Sequence, residues 1–81
     1  MKVRALFFAQ VRDAAGVGER EFEVKEGTTV GELKELVADR LEAGSVKLLP
    51  LRFAVNERFV EAGYLLREAD TVAFLPPVAG G

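Results

Sequence analysis

The sequence predicts an α+β domain in which a mixed sheet of about five strands packs on one main helix. A chain of 81 residues can build only one core, so we expect a single domain over residues 1–81. Several short segments alternate apolar and polar residues, which is typical of half-buried strands. One segment instead repeats apolar residues every three or four positions, as an amphipathic helix does. Helix and sheet would then form two layers around the core.

The first strand is predicted over residues 2–8. Alternation of polar and apolar side chains assigns three residues to the core face, namely Val3, Ala5 and Phe7. The residues assigned to the opposite face are Leu6 and Phe8. A second strand is predicted over residues 21–25, which alternate strictly and place Phe22 and Val24 inward. The glycines of residues 16–18, between the two strands, indicate a hairpin turn.

The main helix is predicted to begin after Thr29. Residues 29–32, Thr-Val-Gly-Glu, have the spacing of a capping box, in which the threonine hydroxyl and the Glu32 carboxylate each accept a hydrogen bond from the other residue's backbone N–H. Apolar residues then recur at helical spacing and form one face, namely Val30, Leu33, Val37 and Leu41. Gly44 follows and is predicted to end the helix.

Residues 51–60 predict a tight hairpin that turns around Asn56. In the predicted register, residue 55 pairs with residue 58 and residue 53 pairs with residue 60. The residues that then face the core are Phe53, Val55 and Val60. The residues that then share the opposite face are Arg52, Ala54 and Phe59.

The last strand is predicted over residues 70–75, after a loop whose buried anchor is either Leu65 or Leu66. The residues of this strand that face the core are Val72 and Phe74. The residues that face away from it are Thr71, Ala73 and Leu75.

Charge and composition exclude several classes of protein. The formal net charge is -2, whereas a nucleic-acid-binding domain needs a surplus of basic side chains on one face. The chain has no cysteine and no histidine, which excludes disulfides, thiolate or imidazole metal sites and a histidine base, so we expect no metal site. The apolar run after Met1 is too short for a signal peptide, and no stretch reaches the ~20 apolar residues of a membrane span. We therefore expect a cytoplasmic protein without a membrane segment.

The acidic run of the second strand is not interpreted as a catalytic site. It consists of Glu19, Glu21, Glu23 and Glu26. Alternation places Glu21 and Glu23 on a solvated strand face, and isolated surface carboxylates of this kind need no chemical role. The glycines of residues 16–18 lack the longer pattern of a phosphate loop. We therefore expect no self-contained active site in this chain.

The most unusual feature is residues 76–81, which are predicted to form an extended, flexible tail. Pro76 and Pro77 cannot donate to a sheet and stiffen the chain as it leaves the last strand. Gly80 and Gly81 have no Cβ, so a partner can enclose their backbone in a narrow channel and reach the terminal carboxylate. That carboxylate must be activated, for example as an acyl adenylate, before it can accept sulfur, which implies a separate ATP-using enzyme. A frayed end without function is the alternative interpretation.

Three segments resemble the small, sulfur-carrying subunits of molybdopterin synthase. They are residues 6–12 (Leu-Phe-Phe-Ala-Gln-Val-Arg), residues 54–56 (Ala-Val-Asn) and residues 70–81 (Asp-Thr-Val-Ala-Phe-Leu-Pro-Pro-Val-Ala-Gly-Gly). The resemblance extends from one end of the chain to the other, and its last segment is the most specific part. It implies a ubiquitin-like β-grasp fold and the function of a sulfur carrier.

The resemblance also implies partners and a place for the chemistry. An activating enzyme similar to ubiquitin E1 would use ATP to adenylate Gly81, and a sulfur donor would convert the adenylate to a thiocarboxylate. No cofactor would be bound to the chain itself. The residues that would insert into the large synthase subunit are Pro76, Pro77, Val78, Ala79 and Gly80. In that heterotetrameric complex two sulfurs would pass in turn to cyclic pyranopterin monophosphate, and the catalytic side chains would belong to the large subunit.

A partner surface is predicted on the sheet face that points away from the helix. Phe8, Phe59 and Leu75 are each assigned to that face, and large apolar side chains that collect on a surface indicate an interface. Scattered exposed apolar residues without a role are the alternative.

Other functions remain open at this point. A sulfur carrier for thiamin or tRNA thiolation would share the fold and the Gly-Gly end, although such carriers often lack the start seen in residues 6–12. A ubiquitin-like modifier would form isopeptide bonds through Gly81. A purely structural interaction domain would tolerate the loss of the last two residues.

Overall fold

The computed structural model describes residues 1–76, and the predicted tail residues Pro77, Val78, Ala79, Gly80 and Gly81 lie outside them. The described part contains five strands and three helices. In chain order they are β1 (Lys2–Phe7), α1 (Ala9–Ala15), β2 (Glu19–Glu23), α2 (Val30–Arg40), α3 (Ser45–Leu48), β3 (Arg52–Val55), β4 (Arg58–Val60) and β5 (Thr71–Leu75). No helix within residues 1–76 is long and apolar enough to cross a membrane.

The five strands form one mixed sheet in the order β2-β1-β5-β3-β4. β1 and β5 lie at its centre and run parallel, with Arg4 opposite Thr71 and Phe7 opposite Phe74. The other neighbouring pairs are antiparallel. The first and last strands of the chain are therefore adjacent, which brings the start of the sequence beside the segment that precedes the tail.

The core lies between α2 and one face of the sheet, which we call the inner face. The predicted inward residues of β1 and β5 are almost fully buried, and Phe7 stacks on Phe74 with ring centres 5.8 Å apart. Phe53 meets Phe74 edge to face, also at 5.8 Å. From α2, the buried residues are Val30, Leu33, Val37 and Ala38. The predicted α+β arrangement of two layers is confirmed.

The connection between β1 and β2 differs from the predicted hairpin turn. β1 and β2 do pair antiparallel, with Lys2 opposite Glu23, but α1 lies between them. Val11 and Ala15 are one helical turn apart and both are buried, so tertiary packing stabilises this short helix. Gly16 adopts φ 80° and donates its N–H to the Arg12 carbonyl at 2.9 Å. The glycine interpreted as a turn residue is therefore a left-handed helix cap.

The start of α2 is as predicted, and its end is not. Thr29 Oγ1 accepts from the Glu32 N–H at 3.2 Å, and Glu32 Oε1 accepts from the Thr29 N–H at 2.9 Å, which completes the capping box. Gly44 does not end the helix. Instead Glu42 takes the left-handed conformation, with φ 52°, and the next N–H, of Ala43, bonds to the Ala38 carbonyl at 2.8 Å. This is a Schellman termination with a non-glycine residue at the left-handed position.

The hairpin of β3 and β4 has the predicted register. Val55 lies opposite Arg58, and Phe53 lies opposite Val60. Asn56 and Glu57 have φ values of 50° and 72°, which are those of a type I′ turn. Because β4 is a short edge strand, Phe53 and Val60 are only half-buried, although both pack against the core as expected.

The loop before β5 buries one of two adjacent leucines that the sequence left as alternatives. Leu66 is 4% exposed and belongs to the core, whereas Leu65 is 60% exposed. The Leu66 N–H donates to the Thr28 carbonyl at 2.9 Å, and the Val30 N–H donates to the Tyr64 carbonyl at 3.0 Å. The loop is thus hydrogen-bonded to the start of α2, and this contact decides which leucine is buried.

Candidate functional site

The candidate site begins with the outer face of the sheet, the face that points away from α2. Strand pairing places Leu6, Ala73, Ala54 and Phe59 in one row across β1, β5, β3 and β4. Phe8 lies two residues after Leu6, and Leu75 lies two residues after Ala73, so both are on the same face as the row. Since neighbouring strands are about 4.8 Å apart, Leu6 and Phe59 are separated by about 14 Å. We call these six residues the apolar patch.

The three residues predicted for a partner surface all belong to this patch. Phe59 is 65% exposed and Phe8 is 43% exposed, whereas Leu75 is half-buried. Phe8 keeps an extended backbone, with φ -125° and ψ 149°, so its side chain continues the alternation of β1 before α1 begins. The structure therefore brings together side chains from β4, β5 and the end of β1 on one face.

Small residues shape the middle of the patch. Ala54 and Ala73 lie opposite each other on β3 and β5, between the two large phenylalanines. Ala54 is buried although it is not part of the core, because a single Cβ is covered by its taller neighbours. A shallow groove results, and its walls include Leu6 and Phe8. The sequence predicted that both alanines lie on this face, but not that they lie opposite each other between the aromatic side chains.

The rest of the outer face is charged. Glu19 and Glu21 on β2 lie 3.5 Å and 4.0 Å from the guanidinium of Arg4 on β1, and all three side chains are more than half exposed. Exposed pairs of this kind contribute little free energy of folding. The outer face is therefore divided between a charged region at β2 and the start of β1 and the apolar patch, which extends from the end of β1 across β5 and β3 to β4.

The tail leaves the sheet at one end of the apolar patch. β5 is bonded on one side to β1 and on the other to β3, so its last residues are held from both sides. Leu75, its final residue, lies opposite Arg52, and Pro76 follows directly. Pro76 is the only predicted tail residue within the described part, and it is half-buried.

Two polar side chains hold the other end of β5. The buried Asp70 carboxylate accepts from the Asn56 side-chain amide at 2.9 Å and from the Arg67 backbone N–H at 2.8 Å. The Asn56 side-chain oxygen, Oδ1, accepts from the Thr71 backbone N–H at 3.0 Å. The hairpin turn is thereby joined to the start of β5, which fixes the patch residues of β3 and β4 relative to those of β5. This pair could not be predicted from the sequence, since the two residues are 14 positions apart.

The described residues offer little for bond-making chemistry. Within residues 1–76, no three His, Cys, Asp or Glu side chains come together in a way that could hold a metal ion. One pKa departs clearly from its ordinary value in this part of the chain: Asp39 and Glu35 raise the pKa of Lys47 through hydrogen bonds and charge. That cluster lies on α2 and α3, in the other layer of the fold from the apolar patch.

The sequence of this chain matches a known protein family and several curated relatives. The model of the ThiS family matches residues 5–81. The molybdopterin synthase sulfur carrier subunit of Escherichia coli is 36% identical over 98% of this chain and 99% of its own length. That of Mycobacterium tuberculosis is 35% identical over 100% of this chain and 99% of its own.

Solved structures confirm the β-grasp fold. Molybdopterin converting factor subunit 1 of Pyrococcus furiosus has a TM-score of 0.85 and 33% identity, over 96% of this chain and 99% of that one. Small archaeal modifier protein 1 of Haloferax volcanii has a TM-score of 0.84 and 19% identity, over 95% and 98%. A chain from the complex of subunits 1 and 2 of molybdopterin-converting factor of Helicobacter pylori has a TM-score of 0.70 and 20% identity, over 100% of both. The last two likenesses concern the fold alone. The family match over residues 5–81 and the full-length matches to curated relatives show that this chain belongs to the ThiS family, among the molybdopterin synthase sulfur carrier subunits.

Proposed function

We propose that this chain carries sulfur for molybdopterin synthase as a thiocarboxylate on Gly81. The observation that carries the proposal is the match to sulfur carrier subunits over essentially their whole length, with a family match that includes Gly81. The position of β5 supports it, because a strand held from both sides directs the tail from a defined point at the apolar patch.

Loading would take two steps on another protein. In the first, a carboxylate oxygen of Gly81 attacks the α-phosphate of ATP, which gives an acyl adenylate and releases pyrophosphate. In the second, a sulfide-equivalent donor attacks the acyl carbon, and AMP leaves with the carboxylate oxygen. The first step needs an ATP-binding enzyme of the E1 type, and the chain itself would bind no cofactor.

Donation would take place in the large subunit. The tail formed by Pro76, Pro77, Val78, Ala79 and Gly80 would enter a channel there, and Gly80 and Gly81 would pass where a Cβ could not. Sulfur would move from the acyl carbon to cyclic pyranopterin monophosphate, and water would restore the carboxylate. A dithiolene contains two sulfurs, so two loaded carriers would be consumed for each product, which fits a heterotetramer. The subunit complex from Helicobacter pylori is a precedent for the pairing of such chains.

The apolar patch would be the surface that meets the large subunit. Its two phenylalanines, Phe8 and Phe59, are exposed in the isolated chain, it lies where the tail begins, and it includes a shallow groove. Apolar surface of this kind is typical of the centre of an interface.

The proposal is tested by loading the purified chain with its activating enzyme, ATP and a sulfide donor. The C-terminal peptide is expected to show the mass change of one oxygen exchanged for sulfur. Deleting Gly81 should abolish sulfur transfer while the thermal unfolding midpoint stays nearly unchanged, since the end of the tail adds little to the core. An extra residue after Gly81 should have the same effect. Undiminished transfer by the Gly81 deletion would contradict the proposal.

Two alternatives share the same activated carboxylate. A carrier for thiamin or tRNA thiolation would load sulfur but would not convert cyclic pyranopterin monophosphate when mixed with the large subunit. A protein modifier would form isopeptide bonds, and lysine conjugates of the chain in cell extracts would favour it. The likeness to an archaeal modifier protein is a likeness of fold and does not favour conjugation.

A further inference from the structure

Arg52 is a charged residue at the edge of the apolar patch, beside the start of the tail. It lies opposite Leu75 in the pairing of β3 with β5. Its guanidinium carbon is 4.8 Å from the centre of the Phe59 ring on β4. The residue therefore connects the end of β5, where the tail leaves, with the most exposed aromatic ring of the patch.

The guanidinium of Arg52 has no acidic partner within the described part of the chain. The salt bridges among residues 1–76 involve Arg4 and Lys47, and none involves Arg52. Arg52, Phe59 and Glu61 line one hollow in the surface, and Glu61 lies beyond salt-bridge distance from the guanidinium. Within residues 1–76, a guanidinium without an ion-pair partner thus lies at the edge of an apolar surface.

Stacking on Phe59 orients this charge for recognition. The Phe59 ring centre lies 4.8 Å from the guanidinium carbon, a cation–π contact, and the five N–H donors of the guanidinium form a rigid planar fork. Such a fork matches the two oxygens of a carboxylate. Because the stack already restricts the side chain, less conformational entropy is lost when a partner binds.

We propose that Arg52 is a specificity-determining residue of the apolar patch and that it receives a carboxylate side chain of the partner subunit in a bidentate pair. The inference rests on the proposed function, because the partner is the large subunit that takes the tail. Once the interface closes, the guanidinium would be surrounded by Phe59, Leu75 and apolar partner surface. An acceptor without a carboxylate at that point would bury an unpaired charge, so Arg52 would select among proteins that can accept the tail.

The sheet provides a matched control for this inference. Arg20 on β2 also stacks on a phenylalanine, with its guanidinium carbon 5.6 Å from the Phe22 ring centre. β2 is the edge strand on the opposite side of the sheet from β4, and the Phe22 ring is buried in the core. Arg20→Gln and Arg52→Gln therefore remove the same charge and the same kind of stack at opposite edges of the sheet.

The test measures association and dissociation rates of the full chain with the immobilised large subunit. Arg52→Gln is expected to dissociate at least about 30-fold faster than wild type, with a smaller change in association rate, since a desolvated charge pair acts mainly on dissociation. Arg52→Met, which keeps an apolar stem over Phe59, should dissociate as fast as Arg52→Gln. Arg52→Lys retains the charge but not the fork, and an intermediate rate is expected. Arg20→Gln should stay within about 2-fold of wild type.

Two results would overturn the inference. One is a wild-type dissociation rate for both Arg52→Gln and Arg52→Met, and the other is a wild-type rate for Arg52→Lys, which would exclude the bidentate pair. Sulfur loading of the same variants distinguishes a failure of the Arg52 inference from a failure of the proposed function. A wild-type chain that loads sulfur and binds the large subunit, beside an Arg52→Gln variant that dissociates no faster, refutes the role of Arg52 alone. A wild-type chain that neither loads sulfur nor binds refutes both.

Discussion

Both faces of the sheet have large apolar side chains, but those of the inner face are buried and the largest of the outer face are exposed. Phe74 on the inner face is fully buried and touches two other rings, whereas Phe59 on the outer face is 65% exposed and stacks on one arginine. The inner face is covered by α2, whereas Phe8 and Phe59 of the apolar patch stay exposed within residues 1–76. The comparison shows that apolar residues on both faces of a strand can form a core on one side and an exposed apolar surface on the other.

The largest effect should follow from truncation on the inner face. Phe74→Ala removes the ring that packs on Phe7 and Phe53, and a loss of about 3–5 kcal/mol in the free energy of unfolding is expected. Urea unfolding measures this loss, with Phe59→Ala as the control from the outer face, expected within about 0.5 kcal/mol of wild type. If the variant is unfolded in water, Phe74→Leu should show a smaller loss of the same sign. Equal effects at positions 74 and 59 would contradict the division between the faces.

Two adjacent leucines allow the same comparison within one loop. Leu66→Ala should cost about 2–5 kcal/mol because the side chain lies in the core, whereas Leu65→Ala should change stability by less than about 0.5 kcal/mol. The two variants have the same composition, so a difference in their urea midpoints reports the environment alone. Reversal of the order would mean that the loop packs through Leu65.

On the outer face, the expected effect is on binding. Phe59→Asp should weaken association with the large subunit by about 2 kcal/mol or more, because it removes an exposed ring and places a carboxylate beside Arg52. Its unfolding midpoint should match that of wild type, and calorimetric titration provides the affinity. An unfolded Phe59→Asp variant would show that the residue belongs to the core.

The smallest effect should come from the charged surface of the helical layer. Lys47 lies 3.0 Å from Asp39 and 3.4 Å from Glu35, and both acids raise its pKa. A raised folded-state pKa adds stability below the ordinary lysine pKa, and that stability is lost as the pH rises through the folded-state value. Lys47→Gln should therefore lower the thermal midpoint slightly at neutral pH, and less in high salt. The difference from wild type should vanish at strongly alkaline pH, and a difference that persists there would exclude the charge as its cause.

Much of the fold could be predicted because its signals are local. The hairpin register at residues 53–60 follows from a two-residue turn, and the capping box at Thr29 is complete within four residues. The candidate patch residues Phe8, Phe59 and Leu75 could be predicted for the same reason, since the period of a strand assigns each side chain to a face. Their role as a partner surface stays a prediction.

The features that the sequence did not predict have a common physical cause. Gly16 and Gly44 were both interpreted from residue type, but Gly16 caps a helix and Gly44 lies beyond the end of another. α1 is only seven residues long, and such a helix is stable only when its apolar face is buried by the rest of the fold. The bond of Asn56 to Asp70 and the stack of Arg52 on Phe59 join different strands. No local pattern reports such contacts.

By itself, the sequence determined which residues of each strand share a face, where α2 begins, the turn at Asn56 and the unusual composition of the tail. These properties depend on backbone geometry over a few residues, where side-chain direction and hydrogen bonding obey fixed periods. Only the tertiary structure decided that β1 and β5 run parallel at the centre of the sheet, that Leu66 and not Leu65 is buried, and that a stacked arginine lies beside the start of the tail. Each of these depends on contact between segments distant in sequence, and such contacts form only when the whole core packs at once.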